Sequence, residues 1–181
     1  MESKQETLEM EFSRRKMNYP SIDNFFLAIG QDSDSAPLQA VFSSLGIGVS
    51  CLEKYPMNLE GLRIWSNLDA SLQLEFKDIG LIRDIPHHDI DEGPWVLTDV
   101  IFWGWQKETN SSYEGPLPCG LNFSMSRESV REIVSRDLGQ PQVFGFSENV
   151  DMWMLGAIEM TVDFDGERGI RCISLDMPEE E

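Results

Sequence analysis

Basic residues are scarce in this 181-residue chain: 14 Lys and Arg stand against 32 Asp and Glu, a net charge of -18. A nucleic-acid backbone or an anionic membrane would repel such a chain, so any charge-driven partner is expected to be basic. The same excess serves solubility, and composition does not separate the two uses. Cysteine is equally sparse. Cys51, Cys119 and Cys172 are odd in number, far apart and outside any CxxC or Cys/His ligand spacing. That excludes a disulfide framework and a zinc site, and predicts free thiols. No stretch approaches the ~18 continuous apolar residues of a membrane helix, and the charged N-terminus lacks the apolar region of a secretion signal. The expectation is a cytoplasmic protein.

Apolar residues are not lacking. They make up 41% of the chain, with ten Phe and five Trp, enough large side chains for a real core. A chain of this length folds as one domain or two small ones.

Two segments align at a constant offset. Ten residues separate Trp65 from Phe76, and Ile82 follows six positions later; Trp153, Phe164 and Ile170 repeat that spacing 88 residues on. In the same frame Leu72 matches Met160, Leu74 matches Val162, Arg83 matches Arg171 and Ile85 matches Ile173. This pattern reads as a duplication. Leu72, Leu74 and Phe76 alternate with polar residues, as do Met160, Val162 and Phe164, the period-2 signature of a strand with one buried face. Asp and Gly then supply reversals at Lys77–Gly80 and Asp165–Gly169, after which Ile82–Ile85 and Ile170–Ile173 read as returning strands.

A helix precedes each hairpin. Ser35 and Pro37 open the first, Leu38, Val41, Phe42 and Leu45 form its stripe, and Gly46 ends it. Ser126 opens the second, with Val130, Ile133 and Val134 at helical spacing and a stop at Leu138-Gly139 before Pro141. Trp95 to Trp105 is apolar except for Thr98, Asp99 and Gly104, a strand that both halves can share. Gln106 to Pro118 reads as an exposed connection leading into a short strand, Leu121-Asn122-Phe123.

The expected architecture is therefore α+β: two diverged copies of a helix-plus-antiparallel-sheet unit, able to share one continuous sheet. Residues 1–18 form an N-terminal arm or short docking helix, 19–105 the first unit, 106–118 the connection, 119–178 the second unit and 179–181 an acidic tail.

Chemistry-bearing motifs are few. His87 and His88 are the only histidines, and neighbours in an extended segment point in opposite directions, which favours two exposed loop side chains over a metal pair with Asp84, Asp89 or Asp91. Gly46 and Gly48 follow a helix and meet Cys51 where a third phosphate-binding glycine would stand. No nucleophile elbow or Walker loop occurs, and among so many carboxylates no pair stands out, so no catalytic residue, cofactor or metal is assigned. The acidic residues do gather, with Asp84, Asp89, Asp91 and Glu92 beside the histidines and Asp163, Asp165 and Glu167 at the second hairpin. With Trp103, Trp105 and Tyr113 as exposed anchors, these make a candidate face for a basic partner.

The run Leu117-Pro118-Cys119-Gly120-Leu121-Asn122-Phe123, the capped helix, Leu138-Gly139-Gln140-Pro141, Trp153 and the Phe164 to Ile173 hairpin resemble small bacterial immunity proteins that neutralise antibacterial toxins. The same segments are similar to the helix-and-sheet unit of the beta-lactamase inhibitor protein, itself a tandem repeat. The resemblance implies a non-enzymatic cytoplasmic protein that occludes the active site of a cognate toxin, and the acidity suits a basic toxin such as a nuclease. Residues alone leave open an interaction adaptor of other purpose or a hydrolase with an unfamiliar pocket, and they leave the oligomeric state open.

Overall fold

The computed structural model describes residues 17–55, 59–143, 148–166 and 169–178. Its α+β fold is a single eight-stranded antiparallel sheet with four α-helices among those residues. Helices α1 (Ile22–Ala28) and α2 (Ala36–Leu45) precede β1 (Glu53–Lys54), β2 (Leu62–Asn67) and β3 (Leu72–Asp78). A single turn, α3 (Ile79–Ile82), and a loop lead to β4 (Trp95–Trp103). Helix α4 (Arg127–Leu138) then precedes β5 (Gln142–Val143), β6 (Val150–Leu155), β7 (Ile158–Asp165) and β8 (Gly169–Asp176). The strand order is β1-β2-β3-β4-β8-β7-β6-β5, so the chain builds outward-in on both sides and closes on the central pair β4–β8.

The helices form where the sequence signals them. Ser35 Oγ accepts the Leu38 N–H at 3.4 Å, and Gly46 takes the left-handed φ of 68° that ends α2. Ser126 Oγ accepts the Ser129 N–H at 3.2 Å to open α4. One face of the sheet is covered. Leu74, Phe76, Val100, Phe102, Ile173 and Val162 pack in one cluster with Leu38, Val41 and Phe42 of α2 and Val130 and Val134 of α4.

The strand β3 alternates as its sequence predicts, but the chain does not return as a strand directly after it. No strand spans Ile82–Ile85. Asp78 is fully buried and its carboxylate accepts the Gly80 N–H, which turns the chain into α3. The strand that returns along β3 is β4, the long aromatic run, whose Trp95 stands opposite Asp78 and Phe102 opposite Leu72. Ile170–Ile173, by contrast, does lie within β8.

The hairpins also differ in register. Trp65 faces Leu74, whereas Trp153 faces Met160, the counterpart of Leu72 rather than of Leu74. A two-residue turn at Gly156-Ala157 replaces the longer Leu68–Ser71 loop. Because the slip is two residues, Trp153 stays on the covered face, buried like Trp65.

Two further expectations are corrected between the halves. Leu121-Asn122-Phe123 forms no strand: a 3₁₀ turn at Pro118–Gly120 precedes it, and the Phe123 carbonyl accepts the Ile170 N–H at the start of β8. The 106–118 segment is not wholly exposed, since Tyr113 is buried against Phe102 and Tyr19, with ring centroids 4.8 Å away in both cases. The three cysteines are free.

Candidate functional site

Residues of the sheet that alternate with the core point to its other face, where side chains remain half-exposed. Register places four carboxylates in line there. Glu75 of β3 stands opposite Asp99 of β4, Asp99 opposite Asp176 of β8, and Asp176 opposite Glu159 of β7. Directly opposed residues on antiparallel strands share a face with Cβ atoms ~5 Å apart, so each carboxyl is crowded by another. Polar neighbours temper the row: Gln73 donates to Glu75 at 2.6 Å, the Tyr55 hydroxyl lies 3.3 Å from both Glu75 carboxyl oxygens, and Ser174 donates to Asp176 at 2.7 Å.

The crowding shows in proton affinity. Burial raises the Asp176 carboxyl well above the usual carboxylate range, and its hydrogen bond with Asp99 raises it further. Burial also raises Glu75, partly offset by the Gln73 hydrogen bond. Apolar side chains flank the row: Ile64 is opposite Glu75, the exposed Met154 is opposite Glu159, and Ile101 occupies the next outward position on β4.

The residues singled out in the sequence divide between two ends of the sheet. Trp103 of β4 stands opposite Cys172, which stands opposite Asp163, so this tryptophan and carboxylate share the open face, with Asp165 two residues further along β7. Asp163 accepts from Arg171 at 2.8 Å. Trp105 is 49% exposed, just past β4. Tyr113 is no exposed anchor: it is buried in the core, which also raises its hydroxyl. Glu167 lies outside the described residues, as does the acidic tail.

Asp84, Asp89, Asp91 and Glu92 lie in the loop at the Trp95 end of β4, roughly 26 Å away for a nine-residue strand at ~3.3 Å per residue. They do not form one acidic face with Asp163 and Asp165. Asp91 is a structural clamp, accepting from the Gly61 N–H at 2.8 Å, Arg63 at 2.9 Å and Lys54 at 3.2 Å, and these donors hold its carboxyl at about 2. His88 is not an exposed loop histidine either. It packs on buried Asp78 with Nε2 2.5 Å from Oδ1, while His87 faces solvent. Among the described residues no group of three or more His, Cys, Asp or Glu is placed to hold a metal ion.

The acidic row escapes a reading of the sequence because its members are distant in the chain and only register aligns them. One signal is visible: Asp99 is the lone charge in the apolar run that forms β4. Burial of Asp151 is equally hidden. It is fully buried on β6 and bound by Arg127 at 2.6 Å and Arg131 at 2.7 Å. Burial opposes its ionisation, yet the two arginines hold its carboxyl below the usual range. No protein family, curated protein or solved structure matches this chain.

Proposed function

We propose that this protein binds and neutralises a basic protein, as an immunity protein does a cognate antibacterial toxin, by laying its open sheet face over the partner's cationic surface. The observation that carries the reading is the row Glu75–Asp99–Asp176–Glu159. Carboxyls opposed across strands cost stability, through repulsion where both are ionised and through a retained proton where one is not, as at Asp176, and such violations of good folding practice concentrate at functional sites. A Lys or Arg entering the row would relieve the repulsion. Half-exposed Ile64, Ile101 and Trp103 and exposed Met154 supply apolar contact beside the charges, the mixture expected where a partner docks. A nuclease is the favoured target class, because its substrate cleft must be basic to hold a phosphate backbone.

The same reading takes the two halves as diverged copies of one unit. It is supported by a strand order that is symmetric about β4–β8, by Ser-capped helices ahead of each half-sheet, and by bulges at Glu75/Phe76 and Asp163/Phe164, 163 − 75 = 88 residues apart.

Expression of the neighbouring gene as the toxin, with and without this protein, tests the function. Rescue of growth, co-purification of a complex and loss of both in Asp99→Lys, with that variant still folded, are the expected results. A harmless neighbour, or a complex indifferent to Asp99→Lys, sinks the proposal.

A further inference from the structure

At the Trp95 end of the sheet, the segment before β2 and the loop before β4 leave large apolar side chains exposed. Leu59, Leu81, Ile85 and Ile90 are 43%, 49%, 37% and 38% exposed, and they are four of the eleven large apolar side chains that stand exposed among the described residues. Scattered exposed leucines need no explanation, but a cluster does. Leu81 and Ile90 converge over Gly61, whose φ is +73°; a Cβ added there would overlap both side chains. Leu59 is two residues before Gly61, and Ile85 lies in the same loop as Ile90.

The loop is fixed from within. The buried Asp78 carboxylate accepts N–H groups from Gly80 at 2.8 Å, Gly93 at 2.7 Å and Asp91 at 3.1 Å, besides the His88 contact. Asp91 in turn ties the loop to Gly61, Arg63 and Lys54. A surface already held in place spends little entropy on binding. Its rim is acidic: Glu60, Asp84, Asp89 and Glu92 are exposed, Lys54 and Arg63 are engaged by Asp91, and Arg83 adds one positive charge.

We propose that the Leu81–Glu92 loop, together with Leu59, is a second docking surface, and that it takes an apolar side chain of a protein segment flanked by Lys or Arg. The apolar centre supplies the contact, and the carboxylates select the flanking charges. A second copy of this chain is a poor occupant, because two bodies of net charge -18 repel. The surface lies beyond the end of the strands, at a different place from the acidic row, so it stands or falls apart from the sheet-face reading.

Backbone amide shifts of the full chain separate the outcomes. The probes are a short peptide with leucine and phenylalanine set between lysines, and the same peptide with glutamates for lysines. The lysine peptide is expected to move Gly61, Leu81, Ile85 and Ile90, and the glutamate peptide to move none of them. Leu81→Ser and Ile90→Ser change exposed side chains and should weaken the lysine peptide at least tenfold, while Asp99→Asn should not. Equal response to both peptides, no response, or shifts confined to Glu75, Asp99, Asp176 and Glu159 would overturn the proposal; the last of these would leave the sheet-face reading intact.

Discussion

Helices α2 and α4 perform the same task on opposite halves of the sheet by different physics. The sequence of α2, APLQAVFSSL, has no charge, and it buries Leu38, Val41, Phe42 and Leu45. Helix α4, RESVREIVSRDL, buries only Val130 and Val134 and is fastened by Arg127 and Arg131 to Asp151, a carboxylate with no exposure. The offset of 88 residues puts Arg63 where the second half has Asp151 (151 − 88 = 63), and Arg63 lies over the Trp95 ring at 4.2 Å while binding Asp91. An apolar stripe tolerates imperfect geometry, since its attraction is non-directional. A buried carboxylate does not, because desolvation is repaid only while its donors stay in place.

The largest effect should come from breaking that dependence. Arg127→Met with Arg131→Met strands a buried carboxylate, and chemical denaturation should show a loss of about 3–5 kcal/mol at neutral pH. In the parent the Asp151 pKa is depressed, so its contribution is present above the unfolded carboxyl pKa and is lost as pH falls through the folded value. In the double variant burial dominates, the pKa rises, and acidification should recover part of the loss. A loss that ignored pH would mean that the clasp contributes packing alone. Phe42→Ala, which removes a ring 5.9 Å from that of Phe76, tests the other half. It should cost about 3–4 kcal/mol by cavity formation, with a pH profile parallel to the parent.

The difference between the halves is partly legible in the sequence. Both helices announce themselves through a serine cap, helical apolar spacing and a glycine stop, and β3 and β7 through strict alternation. The stripe of α2 is visible in its residues. The clasp of α4 is not, because Arg127 and Arg131 read as ordinary surface charges until β6 places Asp151 beneath them. The strand expected to return along β3 is misplaced for a related reason. Ile82 to Ile85 matches Ile170 to Ile173 in composition, but Asp78, buried among the N–H groups of Gly80, Asp91 and Gly93, turns the chain away before a strand can pair. Such carboxylates draw their meaning from donors far along the chain, which local pattern does not supply. The acidic row is the extreme case, assembled from four strands by register alone.

The caps offer a control on the comparison. Ser35→Ala and Ser126→Ala each remove one acceptor of a first-turn N–H, at 3.4 and 3.2 Å, and each should cost about 1 kcal/mol. Equal losses in thermal denaturation place the contrast between the halves in how the helices dock. A loss confined to Ser126 would show that α4, with two buried residues, also depends more on its own ends.

The smallest expected effect lies at the seam where the halves meet. Asp99 belongs to β4 and Asp176 to β8, and burial with the Asp99 hydrogen bond raises the Asp176 pKa. A carboxyl whose folded pKa exceeds its unfolded one binds more protons in the native state, so stability must fall as pH rises from the ordinary carboxyl range through the raised value, and then level off. Asp176→Asn removes the titrating group and one side of the repulsion. It should stabilise the protein by roughly 0.2–1 kcal/mol at neutral pH, where the unfolded carboxyl is ionised and the folded one still holds its proton, and by little below pH ~3.9, where both hold it. Parallel melting curves across that range would mean that the opposed carboxylates are not strained. If the gain appears, the parent retains a stability cost that asparagine avoids, and a cation from a partner would remove the same cost on binding, with release of the Asp176 proton.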